Sequence, residues 1–274
     1  MEYIVEKNEE LLKYLYSKLS NISKNNIKSL LKNEHILVND RVVTKFNYLL
    51  KEKDTIHIID NYIKDYKNIE IIYEDKDLIV VNKPENLLTI ATEKEKDRTL
   101  YNIASKYVKS KNKNNKIYII HRLDKDTSGI IMFAKNIKVK EELQKNWNDL
   151  VIRKYIALVS GNIKEDMTLK NYIGINKINE SYITNIQNGK LAITNIYVKK
   201  NYHNKTLLDI DIKTGRKNQI RLQLANINHS IIGDKKYGNI KAKRMYLHAY
   251  SLEFIHPITK KRLKLKTVYP QNFE

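Results

Sequence analysis

Ile-Tyr-Ile-Ile-His-Arg-Leu-Asp-Lys-Asp-Thr-Ser-Gly-Ile-Ile-Met-Phe-Ala, residues 117–134, decides how this chain folds. An apolar run (117–120) enters a charged loop, which leaves through Gly129 into a second apolar run (130–134). Short apolar runs bounded by a turn read as strands covered on both faces. Charges gathered where two buried strands meet are costly unless they are paired or put to use. A plain charged turn is the competing reading, and for an arbitrary sequence it wins. Asp124 and Asp126 supply two carboxylates. No cluster of His, Asp and Glu with ligand spacing accompanies them, and Arg122 and Lys125 repel a cation, so no metal is expected.

Working outward, residues 69–73 and 78–82 read as strands joined by the turn Glu74–Asp77. Residues 98–109 read as a helix with Leu100, Ile103, Ala104 and Tyr107 inward, and Lys109–Lys116 as an exposed loop. Beyond the central motif come a helix at 136–147 and strands near 153–159, 191–199, 206–212, 245–249, 252–255 and 262–268. Many strands with few helices predict an α+β fold built on one large mixed, mostly antiparallel sheet. In the strand Arg153–Val159, Tyr155 shares a face with Ala157 and Val159, and a core tyrosine is its plain reading. Thr214-Gly215 turns from the strand 206–212 into a helix with Ile220, Leu224 and Ile227 inward. Arg221, near its first turn, is in reach of a carboxylate beside the sheet. A surface arginine or a phosphate contact fits the local pattern equally well.

Upstream, residues 10–19 and 23–33 read as two helices. Ser23 caps the second, and Ile27, Leu30 and Leu31 form its apolar face. Lys24, Lys28 and Lys32 recur every four residues as a basic stripe on the other side; a solvated face is the plain reading of such a stripe. Ile36–Val38, the turn Asn39-Asp40 and Val42-Val43 form a hairpin, and Thr55–Ile59 adds a strand. Residues 61–68 are polar and charged, a linker by composition. Two domains follow, 1–60 and 69–274, the first a small α/β unit.

The chain of 274 residues is 42% hydrophobic, with a net charge of +20 and no cysteine. Thiolate nucleophiles, disulfides and Cys-ligated zinc are thereby excluded. The charge is uneven. Residues 1–60 carry 10 Lys+Arg against 9 Asp+Glu, and the rest 41 against 22, so a polyanionic partner would meet mainly the larger part. A signal peptide and an 18-residue apolar run are both missing, so a soluble, cytoplasmic protein with no membrane partner is expected.

Together the segments resemble the RluA/RluD-type family of pseudouridine synthases. The resemblance runs through Tyr-Glu-Asp-Lys-Asp-Leu-Ile-Val-Val-Asn-Lys-Pro (73–84), the motif at 121–129, Lys-Tyr-Ile-Ala-Leu-Val-Ser-Gly (154–161), Gly-Arg…Gln-Ile-Arg (215–221), Gly-Asp-Lys-Lys-Tyr-Gly (233–238), Leu-His-Ala (247–249) and His-Pro-Ile-Thr (256–259). Residues 11–59 resemble the S4-type RNA-binding module, with Lys24 where that module commonly has Arg. The resemblance implies conversion of uridine to pseudouridine in structured RNA, with no cofactor. It assigns Asp124 as nucleophile, Arg221 as its partner, and Tyr155 to stacking on the target base and as a candidate for the last proton transfer. Arg122 would fill the space vacated by the flipped base, Ile220 would pack on that base, and Arg216, Lys24, Lys28 and Lys32 would contact RNA. Large-subunit ribosomal RNA is the first choice of substrate and transfer RNA the next, and a monomer is the default. The competing readings are a catalytically silent RNA-binding ribosome-assembly factor and, more remotely, a glycosidic-bond hydrolase. Where the family usually has Thr-His before Gln-Ile-Arg, this chain has Lys217-Asn218, and Gln223 stands where His is frequent. Neither departure is expected to touch the residues assigned chemistry.

Overall fold

The structure is a computed structural model describing residues 2–20, 22–32, 35–58, 69–93, 95–96, 98–270 and 273. The chain divides into two compact units, Met1–Ile69 and Glu70–Glu274. The proposed linker at 61–68 lies outside the described residues.

In the first unit the elements are β1 (Glu2–Ile4), β2 (Glu9–Glu10), α1 (Leu11–Lys18), α2 (Lys24–Lys32), β3 (Ile36–Val38), β4 (Arg41–Val42), β5 (Leu49–Leu50) and β6 (Thr55–Ile58). Ser23 Oγ accepts the Asn26 amide at 3.3 Å, the contact expected of an N-cap. Asn39 and Asp40 both have positive φ (48° and 61°), as a two-residue hairpin turn requires. Ile27, Leu30 and Leu31 pack with Leu11, Leu15 and Ile36 in a small core. Lys24, Lys28 and Lys32 are exposed. β1, β2 and β5 were not read from the sequence; they are two or three residues long, too short for a periodic signal.

The second unit contains β7 (Glu70–Glu74), β8 (Leu78–Lys83), α3 (Leu100–Lys111), β9 (Tyr118–Ile119), β10 (Ser128–Ala134), α4 (Ile137–Lys145), α5 (Trp147–Leu150), β11 (Val151–Ser160), β12 (Met167–Ile175), β13 (Ser181–Thr184), β14 (Lys190–Tyr202), β15 (Lys205–Ile212), α6 (Gln219–Asn226), β16 (Leu247–Ile255) and β17 (Arg262–Lys266). Its strands form one sheet, eleven-stranded among the described residues. The order is β13-β12-β14-β15-β11-β16-β10-β8-β7, with β17 beside β16 and β9 beside β10. All these pairs are antiparallel except β10 with β16. The sheet is thus mixed and mostly antiparallel. β10 is buried along its whole length. Its side chains Ile130, Met132 and Ala134 pack with Leu78, Val80, Val139 and Phe254. Burying each large aliphatic chain of this kind contributes about 1.5–3 kcal/mol.

Several boundaries differ from the sequence reading. Residues 245–249 and 252–255 are not two strands, because β16 runs unbroken from Leu247. The irregularity is an extra residue on β16, Tyr250, which shifts its register against β11 between Lys154 and Tyr155. α3 continues to Lys111, so the exposed loop starts at Asn112, and Val108 is buried where Tyr107 is only half-buried. Asn146 leaves helical geometry (φ −121°, ψ 28°) and splits the helix expected over 136–147. Ile227 is half-buried rather than inward.

Candidate active site

Residues 121–127 form the loop between β9 and β10. Parallel pairing of Ser128 and Gly129 with His248 and Ala249 fixes where it ends. Gly129 has φ 119°, and a Cβ there would overlap the Ala249 backbone, so only glycine lets the two strands meet.

Two clamps hold the loop. Thr89 Oγ1 donates to the Leu123 carbonyl at 2.7 Å and accepts the Leu123 amide at 3.2 Å. Lys83, fully buried, donates from Nζ to the carbonyls of Pro84, Leu87 and Lys125 at 2.8, 2.8 and 2.9 Å. Burial pulls its pKa down to about 7, against the attraction of Asp126 and Asp124. Lys83 lies in the stretch 73–84, where nothing local in the sequence marks out a role for it. Three donors spent on three carbonyls make it a fastener of the loop. His121 is fastened too: Nε2 accepts the Met132 amide at 3.1 Å, and its ring stacks on Trp147 at 4.7 Å. Burial, then Arg153, push its pKa down to about 3, so it is neutral.

Asp124 stands at the centre, 29% exposed. Its Oδ2 accepts from Arg221 Nη1 at 3.0 Å and from Asn218 Nδ2 at 2.6 Å. Among the described residues no donor meets Oδ1. The expected pair of Asp124 and Arg221 is therefore formed. The expectation that Lys217-Asn218 leaves the chemistry-bearing residues untouched is wrong for Asn218, which donates directly to Asp124. Asn218 has φ 56° and ψ 23°, a left-handed conformation that asparagine tolerates, and this aims its amide at the loop. Its own Oδ1 accepts from the Tyr237 hydroxyl at 3.4 Å. Lys217 turns away, donating to the Asn179 carbonyl at 2.6 Å. Gln223 is fully buried and bonds Thr194 and Asn171, so its departure alters packing.

Asp234 was not singled out from the sequence. It accepts Arg221 Nε at 2.7 Å and Nη2 at 2.8 Å, and its Oδ1 also takes the amides of Lys236 and Tyr237. Burial works to raise its pKa, but Arg221 and the two amides hold it below the usual carboxylate range. Burial likewise opposes the charge on Arg221, and Asp234 and Asp124 more than offset it, raising its pKa. Arg221 is thus a bridge whose far end is fixed by a bidentate pair and whose near end meets Asp124. The only signal for Asp234 was its place in Gly-Asp-Lys-Lys-Tyr-Gly.

Tyr155 is 8% exposed, and burial pushes its pKa up to about 12, with Asp124 adding to the rise and Arg153 opposing it. Asp124, Tyr155, Arg221, Arg122, Ile220 and Arg216 line one cleft of about 920 Å³. Arg122 is exposed, and Arg216 donates from Nε to the Leu191 carbonyl at 2.9 Å. Lys24, Lys28 and Lys32 belong to the first unit and are not among its lining.

The fold also gathers a His/Asp cluster that the sequence did not show: Asp75, Asp77 and His256, with ligand atoms within 4.8 Å of one another. His256 Nδ1 accepts the amides of Ile258 and Thr259, which leaves the proton of the neutral ring on Nε2, facing Asp75 Oδ2 at 3.0 Å. By hydrogen-bond geometry, Asp77 Oδ2 and His256 Nε2 are buried without a partner among the described residues.

Residues 77–226 match the model of the RNA pseudouridylate synthase family. The chain is 31% identical over 97% of its length to an uncharacterized RNA pseudouridine synthase of Bacillus subtilis, YlyB, covering 92% of that protein. It is 36% identical over 87% of its length to the ribosomal large subunit pseudouridine synthase C of Rickettsia prowazekii, covering 80% of it. Among solved structures it resembles the human RNA pseudouridylate synthase domain containing 4. That match has a TM-score of 0.65 and 21% identity, and covers 77% of this chain and 95% of that one.

Proposed function

Because the chain belongs to the RNA pseudouridylate synthase family, and is an RNA pseudouridine synthase, we propose that it acts on specific uridines of large-subunit ribosomal RNA with Asp124 as nucleophile. One observation carries the assignment of Asp124. Two donors from the start of α6 hold Oδ2 and, among the described residues, leave Oδ1 free, on a residue that lines one cleft with the buried Tyr155. The likeness to a large-subunit enzyme supports the choice of RNA.

In this reading the target nucleotide is flipped into the cleft, at a cost of a few kcal/mol, with Arg122 filling the space it leaves. Ile220 and the Tyr155 ring hold the flat base between them. Asp124 Oδ1 acts at the sugar as the N1–C1′ bond breaks. The base turns, C5 bonds to C1′, the proton leaves C5, and N1 ends protonated. Arg216 meets backbone phosphate. The first unit acts as an S4-type RNA-binding module: its two helices, hairpin and exposed Lys24, Lys28 and Lys32 support that assignment. Among the described residues no helix is long and apolar enough to cross a membrane.

A pKa of about 12 leaves Tyr155 as phenolate at only about one part in 10⁵ near pH 7. We therefore assign it to stacking rather than to accepting the last proton. Tyr155→Phe is expected to keep turnover within about tenfold, and loss of all turnover in that variant would return the proton to Tyr155. Asn218→Ala removes one of the two donors on Oδ2. A hydrogen bond to a charged group contributes about 1.5–3 kcal/mol, so kcat should fall roughly 10- to 150-fold with RNA affinity unchanged. An equal loss in affinity would make Asn218 an RNA contact instead.

The deciding experiment is site-specific pseudouridine mapping of cellular RNA with and without the protein, with Asp124→Ala as control. Sites lost from large-subunit RNA support the proposal. Sites lost only from transfer RNA would redirect it, and an unchanged map would overturn it.

A further inference from the structure

Two arginines lie almost fully buried in the cleft, and the protein treats them differently. Arg221, 7% exposed, has two carboxylates. Arg153, 6% exposed, has none within ion-pair distance among the described residues. Its Nη2 donates to Asn148 Oδ1 at 2.9 Å and more weakly to the Ile212 carbonyl at 3.5 Å. Nε is buried without an acceptor. Among the described residues no acceptor meets Nη1. A guanidinium offers five N–H donors in a fixed fork, so most of this one is unused. Its cation–π partner is Trp147, whose ring centre lies 5.7 Å from the guanidinium carbon. Burial pulls the pKa of Arg153 down, and Tyr155 and Asp211 only partly push it back. A buried charge left this way is costly unless something completes it.

What completes it has a way in. Arg153 lies two residues before Tyr155 on β11, on the same face by strand alternation. Both line the cleft that holds Asp124. Gly215, exposed at the cleft, stands over the guanidinium: a Cβ there would lie 3.0 Å from Arg153 Nη1. The φ of Gly215 is outside the left-handed range, so its backbone does not demand glycine. What glycine provides here is an uncovered Nη1.

We propose that Arg153 Nη1, uncovered at Gly215, is a seat for an anionic oxygen of the RNA substrate. Two sources fit this chemistry. One is a phosphodiester oxygen beside the target nucleotide. The other is the uracil oxygen that takes up charge when N1–C1′ breaks and the electron pair stays with the base. The proposal rests on reading the cleft as the place where the uridine reacts.

Three variants of the full chain test it. Arg153→Met removes the charge, Arg153→Lys keeps it without the fork, and Gly215→Ala leaves the charge but covers it. The binding probe is a fluorescein-labelled heptauridylate. The kinetic probe is single-turnover pseudouridine formation on RNA from cells lacking the protein. With a phosphate source, Arg153→Met and Gly215→Ala weaken heptauridylate binding about tenfold or more. The slope of log affinity against log salt then becomes shallower by about 0.7 for Arg153→Met, the value for one phosphate contact on a single strand. With a base source, heptauridylate affinity is unchanged and the single-turnover rate falls about tenfold or more in both variants. In either case Arg153→Lys recovers part of the loss. The binding arm needs no turnover, so it can succeed even where the functional reading fails. If Gly215→Ala matches the wild type in affinity and rate, the proposal falls, and any lowered melting temperature of Arg153→Met marks Arg153 as a strut between Asn148 and β11.

Discussion

Replacing Asp124 with alanine is expected to lower pseudouridine formation by on the order of 10⁴-fold or more, the scale seen when an enzyme loses a reacting group. The fold should survive. Asp124 is 29% exposed, and Arg221 keeps its buried bidentate partner when Asp124 is gone. The lost ion pair is partly solvated, so the stability change should stay within about 1 kcal/mol. RNA affinity should change little or rise slightly, since one negative charge leaves a basic cleft. Asp124→Asn is the sharper control. It keeps the shape and turns its amide oxygen to Arg221 and Asn218, leaving an NH₂ where Oδ1 stood. Single-turnover assays on purified variants decide the matter. A rate within tenfold of wild type in either variant would place the nucleophile elsewhere.

Asp234→Ala should cost both stability and rate, from a residue that touches no substrate in the proposed mechanism. Breaking a buried, hydrogen-bonded ion pair destabilises by about 3–5 kcal/mol. At roughly 2–4 °C per kcal/mol for a unit of this size, the melting temperature should drop by about 6–20 °C. The sign of the pH effect follows from the depressed pKa of Asp234. Its contribution is complete above the ordinary value of 3.8 and is lost as pH falls from there through the lower folded value. The variant should therefore lose less stability than wild type on acidification. Arg221→Ala leaves Asp234 buried with only two amides, so it should be at least as damaging to the fold. Because the residues share one pair, the double variant should fall well short of the sum. Thermal melts of the three proteins from neutral into acid pH are the measurement, and additive losses would show that the pair is not the unit described.

The local patterns of the chain foretold what depends on neighbours in sequence. The apolar runs on either side of the loop, the inward face of α2 and the Ser23 cap all repeat at short period, and all are present. Asp124 and Arg221 are 97 residues apart, and their pairing was foreseen because the resemblance placed a cation beside the loop. Asp234 was missed because nothing local marks a carboxylate as buried; only the turn after residue 230 brings it under Arg221. Asn218 was misjudged for a related reason. Its reach to Asp124 depends on a left-handed backbone residue, and its type at that position argued for a change of RNA contact. β12 was unread because Lys170 and Asn171 interrupt its alternation near the sheet edge, where one face meets solvent, and β13 because its four residues are too few for a periodic signal. Arg153 was quoted only as a neighbour of Tyr155, since charge without a partner is visible only when the partner's place is seen to be empty.

The parallel contact of β10 with β16 sets an order of events in the life of the molecule. Asp124 is made early, but the strand that locks the end of its loop begins at Leu247, more than a hundred residues later. Through nearly half of its synthesis a nascent chain thus has Asp124 on a loop whose exit strand is held at Gly129 on one side only, by β8. Such long-range closure is slow compared with local helix or hairpin formation. A newly made molecule should remain inert until β16 is in place and the end of the loop is held from both sides.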